Sequence, residues 1–270
     1  MKVSWHACLL GGLLSSGAAL AQVDAAVGGT VPQANFASRY ALSTANPANL
    51  AFTTDPLASG RPALLVKVKS SEGAAGAIKR TDFYPLNESR STGIRWYAMS
   101  VYFPTNWAVH PNPTVVAQVD TAAAPSSLAA PLSFVVRGSR IELNLNSNHR
   151  AATGSDPATA ANSSTSVIQL GPMKTAQWYC MVIKSDWSPA LGSGAVTIWM
   201  NGAKVFDAAN STNSYTSATN VPKVGLLFPG LMGVAERSMY TDFIRLGGPT
   251  TNIYQMYAVT PCATTAVIQK

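Results

Sequence analysis

The chain has little charge and few cysteines or histidines for its length. Only 11% of its 270 residues are charged, and it contains three cysteines and three histidines. No H-E-x-x-H motif, G-x-S-x-G motif or Cys/His cluster is present, which leaves zinc and serine-hydrolase chemistry without support. The 12 carboxylates are scattered, and no two of them stand out as a glycosidase acid and base. We expect no metal or cofactor; without an EF-hand-like loop, a structural calcium ion stays an open question.

Long apolar runs are also missing, since a membrane-spanning helix needs about 20 consecutive apolar residues. The run Ala7–Leu14 is short, follows Lys2 and leads to the small-residue site Ala19-Leu20-Ala21. A charged start, a short apolar core and an A-x-A end are typical of a secretory signal peptide. We therefore expect residues 1–21 to be a signal peptide, residues 22–270 to be the mature chain, and the protein to be secreted or periplasmic without a membrane span.

Helical spacing over several turns is absent, whereas strand-like runs recur between turn residues. Gly138-Ser139 reads as a hairpin turn, and Asn201-Gly202 is a strong type I′ signal. Residues 22–48 are expected to form an arm or a first edge strand, and the small polar residues of Ala151–Ser166 predict a long loop. About ten short strands predict an all-β fold: a single antiparallel β-sandwich of the jelly-roll, concanavalin A-like type.

Two cysteines, Cys180 and Cys262, remain once the signal peptide is removed. Two cysteines in an oxidising compartment are expected to pair. Their disulfide would tie the C-terminal tail to the strand around Trp178–Ile183. The alternative is a buried free Cys180 and a frayed tail.

The net charge of +7 favours an anionic partner through long-range attraction. Nucleic acid is one candidate, but no basic stripe or nucleic-acid motif is visible. Acidic polysaccharide is the favoured partner. We expect neither nucleic acid nor a membrane to be bound, and we expect a monomer.

Alternation along the predicted strands decides which side chains share a face, because successive side chains point to opposite sides. In the strand 140–149 the apolar residues Ile141, Leu143 and Leu145 share one face. The alternating set is Arg140, Glu142, Asn144, Asn146 and Asn148. That second face is either exposed to water or part of a concave surface that hydrogen-bonds sugar hydroxyls, and both interpretations stay open.

Three further strands carry polar residues in the same alternating way. The sets are Arg80, Asp82 and Tyr84; Gln118 and Asp120; and Lys223, followed by Gly225 and Leu227. His149 ends a polar strand and opens the predicted loop. A lone histidine is more often incidental than catalytic, so these residues alone assign it no role.

Several blocks of the sequence resemble heparin lyase I-like polysaccharide lyases, a group that includes glucuronan lyases. The resemblance begins with GIRWYAMSVYFP at residues 93–104, followed by VVAQ at residues 115–118. It continues in IKRTD (78–82), WYCMVIKSDW (178–187), GAVTIWMNGAKVF (194–206) and YTDFIRLG (240–247). The blocks occur in the family's order and together cover roughly residues 60–250.

The resemblance implies a β-jelly roll that binds an acidic polysaccharide and cleaves it by β-elimination. Gln118 matches the family's cleft glutamine, suited to hydrogen-bond the uronate carboxylate, and Arg80 and Lys223 would add positive charge. His149 or a tyrosine would transfer the proton. The residues expected to bind substrate are Asp82, Asp120, Arg140, Asn144 and Asn146.

Two positions depart from the family pattern. The family often follows its glutamine with an aromatic residue and a histidine, whereas this chain has Val119 and Asp120. Its late Lys-x-Gly-x-Tyr strand ends here on Leu227. A secreted lyase is the leading hypothesis; a non-catalytic carbohydrate-binding protein is the rival, and a glucanase-like hydrolase is the third reading.

Overall fold

The computed structural model describes residues 31–73, 78–86, 88, 92–122, 128–148 and 159–263. The expected signal peptide, residues 1–21, lies outside them. The described residues form fifteen β-strands and one α-helix. The strands are β1 (Tyr40–Thr44), β2 (Leu50–Thr54), β3 (Pro62–Lys69), β4 (Lys79–Pro85), β5 (Gly93–Phe103), β6 (Thr114–Thr121), β7 (Leu132–Arg137), β8 (Arg140–Asn148), β9 (Ser163–Pro172), β10 (Gln177–Trp187), β11 (Gly194–Met200), β12 (Ala203–Ser211), β13 (Asn220–Phe228), β14 (Glu236–Thr241) and β15 (Arg245–Gly247). The helix, α1, is Ile253–Ala258, and 3-10 turns occur at Gln33–Asn35, Pro47–Asn49 and Ala160–Asn162.

The strands form two antiparallel sheets. The first sheet has the order β1-β4-β13-β6-β7-β8-β9. The second has the order β12-β11-β10-β5-β14-β3-β2, and β15 also pairs with β5. The prediction of an all-β jelly-roll sandwich is confirmed.

The core lies between the two sheets, where each strand directs every second side chain inward. Phe83, Phe134 and Leu143 reach it from the first sheet, and Tyr97 and Ile183 reach it from the second. All five are fully buried. Because these positions point inward, their neighbours in the first sheet point outward, and this outward set forms the face on which the candidate site lies.

The outer face of the second sheet is covered by a separate apolar cluster. Trp96, Trp178 and Trp199 pack there with residues of α1, including Ile253 and Met256. Burial of aromatic side chains of this size is a large part of the stabilisation that a sandwich gains on folding. The second sheet is therefore covered on its outer side.

A disulfide joins Cys180 of β10 to Cys262, which follows α1. Both cysteines belong to the outer cluster of the second sheet. The predicted pairing of the C-terminal segment with the strand around Cys180 is confirmed. The bond holds α1 against the sheet that it covers.

The structure corrects two expectations. The predicted loop Ala151–Ser166 is wrong at its end, because Ser163–Pro172 is a strand that pairs with β8 along its length; residues 151–158 lie outside the described part. The helix α1 was not expected, since six residues are too few for visible periodicity. Its start is fixed by a capping box between Asn252 and Gln255. No helix within the described ranges is long and apolar enough to cross a membrane.

We expect reduction of the Cys180–Cys262 disulfide to lower the free energy of unfolding by about 2–4 kcal/mol, because the bond closes a long loop. The two cysteines are 82 positions apart. Chemical denaturation followed by tryptophan fluorescence, with and without dithiothreitol, measures the change. The double variant Cys180→Ala, Cys262→Ala is the control, and its stability should not respond to the reductant. Equal stability of the oxidised and reduced wild-type protein would contradict this expectation.

Candidate functional site

A row of polar side chains crosses the outward face of the first sheet. It consists of Tyr84 on β4, Lys223 on β13, Gln118 on β6, Ser133 on β7 and Asn144 on β8, and we call it the polar row. Lys223 is paired with Gln118, Gln118 with Ser133, and Ser133 with Asn144. Tyr84 joins the row through Lys223, whose Nζ lies 5.4 Å from the centre of the tyrosine ring. With strands about 4.8 Å apart, the row spans about 19 Å between backbones.

The row depends on the close approach of β13 to β4. Gly225 is paired with Asp82 and has a φ of 145°, a backbone conformation that favours glycine. A Cβ at this position would lie 2.3 Å from the carbonyl oxygen of Thr81 and 2.4 Å from the Cα of Asp82. Only glycine therefore lets β13 take the register that places Lys223 beside Gln118.

The centre of the polar row carries groups without hydrogen-bond partners among the described residues. Gln118 is only 7% exposed and Ser133 only 6%, yet neither side chain hydrogen-bonds to a described residue. The Oδ1 atom of Asn144 is buried and also lacks a partner. Buried polar groups are normally satisfied, and exceptions need an explanation. The Asn144 Oδ1 is such an exception, and together with the unpaired amide of Gln118 and the unpaired hydroxyl of Ser133 it gives this face three adjacent groups able to hydrogen-bond a ligand.

Charged residues on the same face are tied into ion pairs. Lys223 lies 2.7 Å from Asp120, Arg80 lies 2.7 Å from Asp82, and Arg137 lies 3.1 Å from Glu142. The Arg80 guanidinium donates two hydrogen bonds to the Asp82 carboxylate, in the fork geometry typical of arginine. These six groups sum to no net charge. The positive charge expected from Arg80 and Lys223 is thus balanced in place.

Burial raises the pKa of Asp82 above its ordinary value, against the opposing effect of Arg80. The Asp82 side chain is only 4% exposed, whereas that of Arg80 is 29% exposed. Loss of hydration disfavours the charged carboxylate. As the pH falls, Asp82 therefore loses its charge more readily than an ordinary aspartate does.

An apolar row runs beside the polar row. Leu227 is paired with Val115, and Val115 is paired with Val135. Arg80 borders this row through Leu227, and Glu142 borders it through Val135. Binding sites for small polar ligands commonly combine an apolar surface with a few placed polar groups.

The structure places the predicted site residues unequally. Gln118, Lys223 and Asn144 lie together in the polar row, and Asp120, Arg80 and Asp82 lie next to it in ion pairs. Arg140 is exposed at the β7–β8 turn, four residues along the strand from Asn144.

Of the two remaining predicted residues, Asn146 already has hydrogen-bond partners and His149 is not described. The amide of Asn146 is occupied: its Nδ2 donates to the Ala130 carbonyl, and its Oδ1 accepts from Thr165. His149 lies outside the described residues. The described part of the chain contains no group of three or more histidine, cysteine or acidic residues that could hold a metal ion.

Ser133 was missed, although the sequence contained a signal for it. The Gly138-Ser139 turn places Arg137 opposite Arg140. Counting back from that pair puts Ser133 opposite Asn144, on the polar face. The pairing with Gln118 could not be found in this way, because β6 and β7 are joined by a longer connection and their ladder contains a bulge.

Solved structures with the same fold include enzymes that act on polysaccharides. An endo-β-1,4-glucuronan lyase from the fungus Trichoderma reesei superposes with a TM-score of 0.65 at 14% identity, covering 80% of this chain and 92% of that one. An alginate lyase from Pseudomonas aeruginosa gives a TM-score of 0.52 at 13% identity, covering 77% and 97%. The catalytic domain of a glycoside hydrolase family 131 protein from Coprinopsis cinerea gives 0.51 at 14% identity, covering 81% and 87%. At such identities the likeness establishes the fold alone.

The family assignment rests on the sequence itself. No curated protein sequence matches this chain. A family model described as polysaccharide lyase matches residues 28–245, which include all fifteen strands except the last two residues of β15. The match contains every member of the polar row. The chain therefore belongs to the polysaccharide lyase family.

Proposed function

We propose that the protein is an exported enzyme that cleaves a uronate-containing polysaccharide by β-elimination. The observation that carries this proposal is the amide of Gln118, which has no hydrogen-bond partner among the described residues and is flanked by Lys223 and Ser133 on the outward face of the first sheet. An amide that no protein group satisfies can donate and accept hydrogen bonds to a ligand. The carboxylate of a uronate is a ligand of the right kind.

The chemistry of β-elimination explains why these groups suit the reaction. The C5 proton of a uronate becomes acidic when the negative charge of its carboxylate is offset, because an enolate then develops with less cost. The Gln118 amide donates a hydrogen bond to the carboxylate, and the Lys223 ammonium lies on the adjacent strand. A general base then removes the C5 proton, and a general acid protonates the leaving oxygen at C4.

The similar solved structures suggest which polymers to test. They include a glucuronan lyase and an alginate lyase, whose substrates are uronate polymers. The hydroxyl and amide groups of Ser133 and Asn144 would bind the sugar units next to the one held by Gln118. Leu227, the half-buried member of the apolar row, would lie against the apolar face of one of those sugars.

A carbohydrate-binding protein without catalysis is the second candidate. It is favoured by Leu227 and Asp120, which stand where the family often has tyrosine and histidine. It predicts saturable, salt-sensitive binding to a polysaccharide without any product. A hydrolase has less support: the carboxylates Asp82, Asp120 and Glu142 on the described part of this face are each paired with a cation, so each would have to break an ion pair to act as an acid or base.

We expect the purified protein to release products with a C4–C5 double bond from at least one uronate polymer. Glucuronan, alginate and heparin are the polymers to compare, and the ultraviolet absorbance of the unsaturated uronate is the measurement. Reducing ends released without this absorbance would favour hydrolysis. Folded protein that binds a polymer but forms no product would favour the carbohydrate-binding alternative.

We expect Gln118→Ala to lower kcat/KM by about 100-fold or more, as observed when a single donor to a developing oxyanion is removed. Gln118→Glu should be at least as damaging, because it places a negative charge against the substrate carboxylate. Gln169→Ala is the matched control, since Gln169 is an exposed glutamine on the edge strand of the same sheet. Wild-type turnover by both Gln118 variants would contradict the proposed role.

We expect binding of an acidic polymer to tighten as the pH falls through the raised pKa of Asp82, which lies above the ordinary aspartate value of about 3.9. Protonation of Asp82 removes the counter-charge of Arg80, so the face gains positive charge. Protonated Asp82 also adds to the free energy of unfolding. This contribution is present at low pH and is lost as the pH rises through the pKa of Asp82 in the folded protein.

Calorimetric titration with glucuronan across this pH range measures the effect on binding. Asp82→Asn should bind tightly already at neutral pH and lose the dependence. Asp207→Asn is the control, because Asp207 is on the second sheet and hydrogen bonds from Lys204 and Thr197 lower its pKa. A wild-type affinity that does not change above about pH 4 would contradict this account.

A further inference from the structure

We propose that Tyr84 is the catalytic residue that transfers the proton in the elimination. The inference rests on the proposed function. It names a residue for the proton transfer, a role for which the tyrosine expected from the family pattern is missing in this chain. Leu227, which stands at the expected tyrosine position, has no proton to exchange. Tyr84 lies on β4, on the opposite side of Lys223 from Gln118.

Tyr84 is the one tyrosine of the described chain on the outward face of the first sheet. The other eight lie elsewhere: Tyr40 in the inter-sheet core, Tyr97, Tyr102, Tyr179 and Tyr240 on the second sheet, Tyr254 and Tyr257 on α1, and Tyr215 in the connection between β12 and β13. Tyr215 is only 1% exposed, and burial raises its pKa to about 12. Tyr84, by contrast, is half-buried and reachable from the face that carries Gln118.

The surroundings of Tyr84 leave its hydroxyl available. No described residue hydrogen-bonds to this hydroxyl, while its ring lies against the Lys223 ammonium at 5.4 Å. Two strand spacings, about 10 Å, separate the backbone of Tyr84 from that of Gln118. A uronate ring placed over Lys223 would therefore have its carboxylate at Gln118 and its reacting carbons toward Tyr84.

The carboxylates nearest to this position are already engaged. Asp120 accepts hydrogen bonds from Lys223 and from the backbone N–H of Thr121. Asp82 accepts two hydrogen bonds from Arg80. Either carboxylate would have to break its ion pair to take a proton from the substrate. The hydroxyl of Tyr84, in contrast, has no hydrogen-bond or ion-pair partner among the described residues.

The step balances with Tyr84 as the only proton carrier. The anionic form of Tyr84 takes the proton from C5, and the C–H electron pair forms the C4–C5 double bond as the C4–O bond breaks. The electrons of the C4–O bond go to the leaving oxygen. The new Tyr84 hydroxyl then returns the proton to that oxygen, which regenerates the starting form of the residue.

A single carrier sets a stereochemical requirement. The C5 hydrogen and the C4 oxygen must lie on the same side of the sugar ring, within reach of one hydroxyl. β-Linked glucuronate and mannuronate units meet this condition, whereas guluronate units have the two groups on opposite sides. The inferred substrate class is therefore a polymer of glucuronate or mannuronate.

Steady-state kinetics of Tyr84→Phe on glucuronan and on polymannuronate test the inference. On the polymer that the wild-type protein cleaves, we expect kcat to fall about 10²–10⁴-fold, the usual contribution of a general acid–base group, while KM stays within about twofold. The substitution removes only the hydroxyl, and an unchanged melting temperature would show that the fold is retained. Tyr254→Phe, on the exposed surface of α1, is the matched control and should keep wild-type kinetics.

The possible results separate the two levels of the proposal. A Tyr84→Phe variant that turns over at the wild-type rate would overturn the role of Tyr84 and leave the lyase function standing. Efficient cleavage of polyguluronate by the wild-type protein would overturn the single-carrier mechanism. Absence of an unsaturated product from glucuronan, polymannuronate and polyguluronate, with folded wild-type protein, would overturn the proposed function and the role of Tyr84 together.

Discussion

The insertion of β13 between β4 and β6 is the contact on which the polar face depends. β13 comes roughly a hundred residues later in the chain than β6, yet it lies inside the first sheet, where it joins β4 and β6, strands that would otherwise be separate. Gly225 permits this insertion, because any side chain there would collide with the backbone of β4. The same contact sets Lys223 beside Gln118. Fold and site therefore share one steric requirement.

Much of this arrangement follows from alternation within single strands. The sequence predicts correctly that Gln118 and Asp120 share a face and that Arg80 and Asp82 share a face. It also predicts the two-residue turn that follows Arg137. These are local properties, fixed by the two-residue period of a strand. The pairing of Cys180 with Cys262 was also predicted, since two cysteines allow only one bridge.

The remainder depends on pairings between strands that are distant in sequence. Nothing in the local pattern places Lys223 opposite Gln118 or brings its ammonium to Asp120. The bulges in the β6 ladders shift the register by a residue, and a pattern of apolar and polar positions does not reveal such a shift. The strand β9 was hidden for a different reason. Its exposed, hydroxyl-rich first half resembles a loop in composition, and only its pairing with β8 makes it a strand.

The ion pairs on the outward face of the first sheet affect how tightly that face would hold a long acidic polymer. A sheet face with strong unbalanced positive charge would bind every carboxylate of an acidic polymer and hold the polymer in one position. The pairs of Arg80 with Asp82 and Lys223 with Asp120 leave selective hydrogen bonding at Gln118, Ser133 and Asn144 as the main local attraction. For the proposed substrate, such a surface would favour repeated sliding of the polymer by one sugar unit over a single fixed docking event.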